Sequence, residues 1–170
     1  EKLRKLANGK TIIGLNTGCG LRWKTRLWPK KHWVELINDL ERQGYVCLLM
    51  GGPDEDETNH YYAKQTNTTY LGTFSLEEFI SITNNTDIIV TPVSMMMHIA
   101  IALKKQLMIF HNIFNIHEFE LYGRGIIIEP TSGCDCYFGN SCVREKSCMK
   151  DISVQDVLTN IAELNKNLIK

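Results

Sequence analysis

No apolar run in this 170-residue sequence approaches the roughly 20 residues a membrane-spanning helix requires. Net charge is absent too. The 19 Lys and Arg balance the 19 Asp and Glu, which argues against a general nucleic-acid binder with its usual basic excess. There is no internal repeat and no low-complexity linker, so nothing reads as an array or a disordered spacer. Six cysteines are too few for a disulfide scaffold. No long apolar stretch follows Glu1-Lys2-Leu3-Arg4-Lys5, so the start does not read as a secretory signal. What is present is ordinary: 44% hydrophobic and 22% charged residues, the composition of a soluble globular domain. The length suits one domain with a proper core and leaves no room for two large ones.

Short apolar runs alternate with helical patterns along the chain. Thr11-Ile12-Ile13-Gly14-Leu15-Asn16, Tyr45 to Met50, Asp87-Ile88-Ile89-Val90, Gln106 to Phe110 and Gly125 to Ile128 read as strands. Between them, Pro29 opens a helix with Trp33, Leu36, Ile37 and Leu40 on one face, and Gly44 stops it. Ser75-Leu76-Glu77-Glu78 is a capping-box pattern whose helix turns Leu76, Phe79, Ile80 and Thr83 inward. Ser94 to Leu103 is a buried helix candidate. A closing helix over 153–169 faces Val157, Ile161, Leu164 and Leu168 inward. Strands apolar on both faces, alternating with helices, predict an α/β fold with a doubly wound parallel sheet. An irregular cysteine-bearing segment, 130–150, precedes the last helix.

Ligands of such sheets bind outside the carboxyl ends of the strands, which here means residues 17–29, 51–57, 91–98 and 111–123. The first loop joins Thr17-Gly18-Cys19-Gly20 to five cations between residues 21 and 31, with no acid among them. Glycines let backbone N–H groups approach a phosphate, and Lys24 and Arg26 supply charge-assisted bonds. The alternative is a solvated loop, anchored in the core by Trp28 and Trp33. The second loop, Gly51-Gly52-Pro53-Asp54-Glu55-Asp56-Glu57, places carboxylates at a strand exit. There they serve either a ribose diol or the dipole of the following helix. In the third, Ser94 is either a phosphate contact or an ordinary N-cap. His98 is either a diphosphate donor or a core histidine, and Met95-Met96-Met97 reads as core or pocket wall. In the fourth, Asn115, His117 and Glu118 are either sugar-reading groups or the polar face of a short amphipathic helix.

Four motifs in order resemble the donor-binding half of ADP-heptose:lipopolysaccharide heptosyltransferases, which are GT-B enzymes. They are Arg26-Leu27-Trp28-Pro29, Leu49-Met50-Gly51-Gly52-Pro53-Asp54-Glu55, Leu71-Gly72-Thr73-Phe74-Ser75-Leu76-Glu77-Glu78, and His98-Ile99-Ala100-Ile101-Ala102-Leu103. The resemblance covers the chain from about residue 10 to the end. It implies transfer of heptose or a related sugar from a nucleoside-diphosphate donor to a lipopolysaccharide or other surface-glycan acceptor. It also implies an amino-terminal acceptor domain outside this chain, carrying the general base, so that no catalytic residue falls in this half. Donor contacts implied are Lys24, Arg26, Ser94 and His98 on the diphosphate, Glu55 on the ribose and Phe74 beside the base; Thr17 and Glu118 complete the donor-site candidates. No cofactor is required, no nucleic-acid partner is expected, and the setting is cytoplasmic with at most peripheral contact with the inner membrane.

Two departures stand out. Val93 and Met95 occupy positions where the family usually has Asp and Gly, and His111 to Phe119 replaces its Phe-Gly-Pro turn. They leave room for a non-catalytic module that keeps the fold, or for another GT-B enzyme such as a sugar-nucleotide epimerase. Cys134, Cys136, Cys142 and Cys148 fall within 15 residues at a spacing unlike paired zinc knuckles. Structural metal ligation, disulfides and free thiols all stay open.

Overall fold

Every apolar run singled out above forms a strand in the computed structural model, which describes residues 2–113, 115–136, 139 and 141–168. The strands are β1 (Ile12–Asn16), β2 (Val46–Met50), β3 (Thr69–Tyr70), β4 (Ile88–Pro92), β5 (Gln106–Phe110) and β6 (Gly125–Ile128). They make one parallel sheet in the order β3-β2-β1-β4-β5-β6. The chain winds outward one way through β3, then returns to the centre and winds the other way from β4. The strand order therefore reverses between β1 and β4. The helices are α1 (Lys2–Ala7) before the sheet, the crossovers α2 (Lys30–Arg42), α3 (Asp56–Gln65), α4 (Leu76–Asn84) and α5 (Met95–Ala102), and α6 (Val154–Leu168) after the last strand.

Side chains alternate across the sheet and build two cores. One holds Ile13, Leu15, Cys47, Leu49, Ile88, Val90, Met108 and Phe110 under α2 and α6, with Tyr62 of α3. The other holds Leu48, Met50, Ile89, Leu107 and Ile109 under Phe79 of α4 and Met96, Met97 and Ala100 of α5. Gly14 is needed on this second face, because an added Cβ would lie 2.6 Å from Ile89 Cδ1 and 2.8 Å from Met50 Sδ. Helix ends follow the sequence signals. Gly44 stops α2 with φ of 88°, and Ser75 and Glu78 bond reciprocally at the start of α4.

Some expectations are corrected. Leu76, Ile80 and Leu168 are exposed rather than inward. The first two flank a narrow buried stripe, Phe79 and Thr83, because α4 packs chiefly on α5. Leu168 lies in the last described turn, beyond the sheet, and Ile169 falls outside the described residues. The short α1 and β3 have no periodic signal in the sequence. Asp87 ties α1 to the sheet, accepting Arg4 Nη1 at 2.8 Å and Ile12 N–H at 2.8 Å. No described helix is long and apolar enough to cross a membrane.

Candidate functional site

The reversal between β1 and β4 opens a cleft of about 280 Å³ at the carboxyl edge of the sheet. Asn16 and the Gly18–Gly20 loop line one side, Gly52 and Glu55 another, and Ser94, Met95 and Met96 at the start of α5 a third. Gly18, Cys19, Gly20 and Glu55 also line an adjoining cavity of about 110 Å³, whose other walls include Thr17, Lys24, Lys30 and Asp54. Cations and carboxylates that cancel in the total charge therefore face each other across one opening. Past Gly51 lies a third recess, an apolar slot between Leu71, Gly72, Phe74, Phe79 and Ile82.

Buried polar side chains brace this edge. Asn16 is 5% exposed, and its Nδ2 donates to Gly18 O at 2.9 Å, Thr91 Oγ1 at 3.0 Å and Ser94 Oγ at 3.3 Å. One amide thus fixes the β1 loop relative to the start of α5. Thr17 Oγ1 donates to Asn59 Oδ1 at 2.8 Å, and Asn59 Nδ2 donates to Met50 O at 3.2 Å, which joins the β1 and β2 loops. The sequence reading passed over Asn16, Asn59 and Thr91. Its available clue was an amide ending an otherwise apolar strand, where a buried polar group must find partners.

Glu55 occupies the centre. Its Oε2 accepts Gly52 N–H at 2.9 Å and its Oε1 accepts Gly20 N–H at 3.4 Å. It caps the turn at the start of α3 and lines the cleft at the same time, so its placement at a helix start does not by itself exclude a ribose contact. Gly18 leaves the space this needs, since an added Cβ would overlap the Glu55 carboxyl group and Cγ. Asp56 serves the fold, accepting the Tyr70 hydroxyl at 2.6 Å; desolvation, then this hydrogen bond, pushes the Tyr70 phenol up to about 12.

Arg26 differs from the expectation of an open phosphate contact. It is 4% exposed. Its guanidinium donates to the carbonyls of Val93 and Cys19 and stands 4.7 Å above the Trp23 ring. Desolvation lowers its pKa. In this arrangement it clamps the β1 loop to the β4–α5 junction from behind the cleft. Trp28 and Trp33 do anchor the loop: the Trp28 ring stacks on Phe110 at 4.9 Å, and its Nε1 donates to Ile152 O at 3.0 Å.

The remaining candidates divide. Lys24 is exposed in a single 3-10 turn, Lys24–Arg26, at the cleft rim. Ser94 does not cap α5 with its side chain; its hydroxyl turns back onto Thr91 Oγ1 at 3.0 Å. His98 is exposed, which corrects the core alternative, and it sits one turn along α5, off the cleft lining. Phe74 borders the apolar slot. Glu118 is exposed in a 3-10 turn, Ile116–Glu118, closed by Asn115 Oδ1 accepting His117 N–H at 3.0 Å. The structure does not bring Glu118 to the cleft lining, and Phe114 lies outside the described residues. At the end of β5, buried His111 bonds Glu129 through Nδ1 at 2.8 Å.

Comparison with known proteins gives the same picture of the fold. The structure of E. coli ADP-heptose lps heptosyltransferase II superposes with a TM-score of 0.77 at 22% identity, over 95% of this chain and 48% of that one. A family 9 glycosyl transferase from Veillonella parvula DSM 2008 gives 0.78 at 21% identity, over 96% and 48%. The E. coli heptosyltransferase WaaC with ADP-2-deoxy-2-fluoro heptose gives 0.68 at 18% identity, over 91% and 43%. The chain thus spans about half the length of these structures, and the likeness is one of fold. No curated protein matches it in sequence. The sequence profile described as "Glycosyltransferase family 9 (heptosyltransferase)" matches residues 2–123, most of the chain. This chain belongs to glycosyltransferase family 9, the heptosyltransferase family.

Proposed function

We propose that this chain is the donor-binding half of a GT-B glycosyltransferase. It holds a nucleoside-diphosphate sugar, heptose or a related one, for transfer to a lipopolysaccharide or other surface-glycan acceptor. The observation that carries the reading is the sequence of recesses along one edge: a polar cleft at the strand-order reversal, a carboxylate at its centre and an apolar slot beyond. These suit diphosphate, ribose and base in turn. The Gly18 amide, the amino end of α5 and Lys24 would carry the charge of the leaving diphosphate. That assignment calls for no metal or cofactor. Glu55 has lone pairs left for a ribose diol, and the slot beside Phe74 has the apolar walls a base requires. The acceptor side, with its general base, belongs to the half of the longer relatives that this chain does not span. Arg26 and Thr17 position the loop in this reading, and Glu118 and His98 reach the donor only with sugar or acceptor in place.

Two observations favour a second reading, a module that keeps the fold without donor chemistry. Met95 is 59% exposed in the cleft, and the Arg26 guanidinium is committed to backbone carbonyls. Calorimetric titration with ADP, UDP and GDP separates the two. Binding of one nucleotide is expected; silence from all three sinks the donor-site reading.

Gly18→Ala tests the ribose assignment. No positive φ is required at Gly18, so alanine suits its backbone, and the overlap falls on a flexible carboxylate side chain. Stability should change by less than about 1 kcal/mol. Glu55 is displaced, so affinity for the preferred nucleotide should fall about tenfold, roughly 1.4 kcal/mol. Unchanged affinity would remove Glu55 from the ribose.

A further inference from the structure

The recesses at the carboxyl edge follow the strand order β3-β2-β1-β4. The apolar slot lies between the end of β2 and the turn after β3, Glu55 follows β2, and Gly18, Cys19 and Gly20 follow β1. Next along the edge comes the junction of β4 with α5, which puts Ser94, Met95 and Met96 on the cleft wall. A nucleoside-diphosphate sugar with its base in the slot and its ribose at Glu55 therefore carries its sugar past the diphosphate to this junction.

Hydroxyls and amides here are already committed to one another. Thr91 Oγ1 donates to Pro92 O at 2.8 Å, which leaves Ser94 to donate to Thr91 Oγ1 at 3.0 Å. Ser94 Oγ also accepts Asn16 Nδ2 at 3.3 Å, and Asn16 shares that amide with Gly18 O and Thr91 Oγ1. Val93 is 7% exposed and packs with Phe79 and Met96 in the core beneath α4 and α5. His98 stands a turn further along α5 and Glu118 on the loop after β5, and neither lines the cleft. Among the described residues, the side chain left bare at this junction is Met95, 59% exposed at the first position of α5.

A thioether is a soft apolar surface and only a weak acceptor. A hydroxyl pressed against it loses water without gaining a partner, which is costly. A methyl group in the same place gains by leaving water. Resting on the donor-site reading, we propose that Met95 selects a donor sugar bearing a methyl-terminated substituent, a 6-deoxy carbon or an N-acetyl group, over its hydroxylated counterpart. The exposure of Met95, which also suits a module without donor chemistry, is then the contact surface for that methyl group. A closed apolar pocket rejects an added hydroxyl by about a hundredfold, and a side chain that keeps much of its surface in water should reach about tenfold.

Calorimetric titration of the chain with the glucose, 6-deoxyglucose and N-acetylglucosamine esters of ADP, UDP and GDP, each beside the bare diphosphate, reads the preference. For the nucleotide that binds, one methyl-bearing ester should bind about tenfold tighter than the glucose ester. Which of the two does so identifies the substituent that meets Met95. Met95→Gln, similar in length but able to bond a hydroxyl, should bring that ratio within about twofold of one. Met95→Leu keeps apolar surface and volume and should keep the ratio. Neither variant disturbs a core, since Met95 belongs to none. A glucose ester that binds as tightly as both others, or a preference that survives Met95→Gln, would overturn the proposal while the bare nucleotide still binds. Silence from every ester and every nucleotide is the distinct result in which the donor site itself fails and this selection with it.

Discussion

Replacing Trp28 by alanine should lower the unfolding free energy by about 3–5 kcal/mol. The indole is 2% exposed, lies nearly parallel to Phe110 and meets Trp33 edge-on at 5.2 Å. Truncation opens a cavity between the cleft loop and α2, and also leaves Ile152 O without the Trp28 Nε1 donor. Trp28→Phe isolates part of the loss: it keeps a ring on Phe110 but removes the hydrogen bond and the outer ring of the indole, so about 2–3 kcal/mol should remain. Urea denaturation with an unchanged m-value reads both differences. A Trp28→Ala loss below about 1 kcal/mol would mean that the loop is not anchored through this ring. Nucleotide affinity should fall with stability in the alanine variant, because Trp28 joins the loop carrying Lys24 to the turn that precedes α6.

The sheet and its helices were legible because their signals are local. Apolar runs such as Gln106 to Phe110 fill both faces of a strand, and Trp33, Leu36, Ile37 and Leu40 repeat at helical spacing. The capping box at Ser75 and the stop at Gly44 depend only on neighbouring residues. Leu76 and Ile80 misled because helical spacing does not give the width of the buried stripe, which the contact with α5 sets. The candidate site was legible as loops but not as directions. Sequence placed Arg26 at the right strand exit, yet which way its guanidinium turns depends on the Val93 and Cys19 carbonyls, and Val93 is 67 residues away. Asn16 escaped notice for the same reason: its partners Thr91 and Ser94 arrive only when β4 pairs with β1. For the cysteines, spacing alone left metal, disulfide and thiol open. The structure shows all four as free cysteines, two of them buried, and no group of metal-ligand spacing among the described residues.

Asn16→Asp should expose what the reversal between β1 and β4 depends on. The substitution keeps shape, so no cavity forms, but it exchanges an amide donor for a carboxylate at a site 5% exposed. The Ser94 hydroxyl can rotate to donate, whereas Gly18 O cannot, and it would face the new charge at the present 2.9 Å. The penalty at neutral pH should be about 3 kcal/mol, the low end for an uncompensated buried charge, because the neighbouring cleft admits water. Burial raises the folded-state pKa of the new carboxyl above its unfolded value of about 3.9. Between those two values the native state binds more protons than the unfolded chain, so stability falls as pH rises through that window. Below it both states are protonated and the charge penalty vanishes. Unfolding measured at about pH 4.5 and pH 8 should therefore show the variant's deficit growing with pH. Asn16→Leu, which carries no charge, should show a deficit independent of pH. A donor diphosphate makes the same charge count twice. A phosphate roughly 6 Å away would be repelled by about 2–3 kcal/mol at an effective dielectric of 20, so nucleotide affinity should fall about a hundredfold in the aspartate variant. An unchanged affinity would move the diphosphate away from the Gly18–Ser94 side of the cleft, and with it the assignment of the α5 amino end.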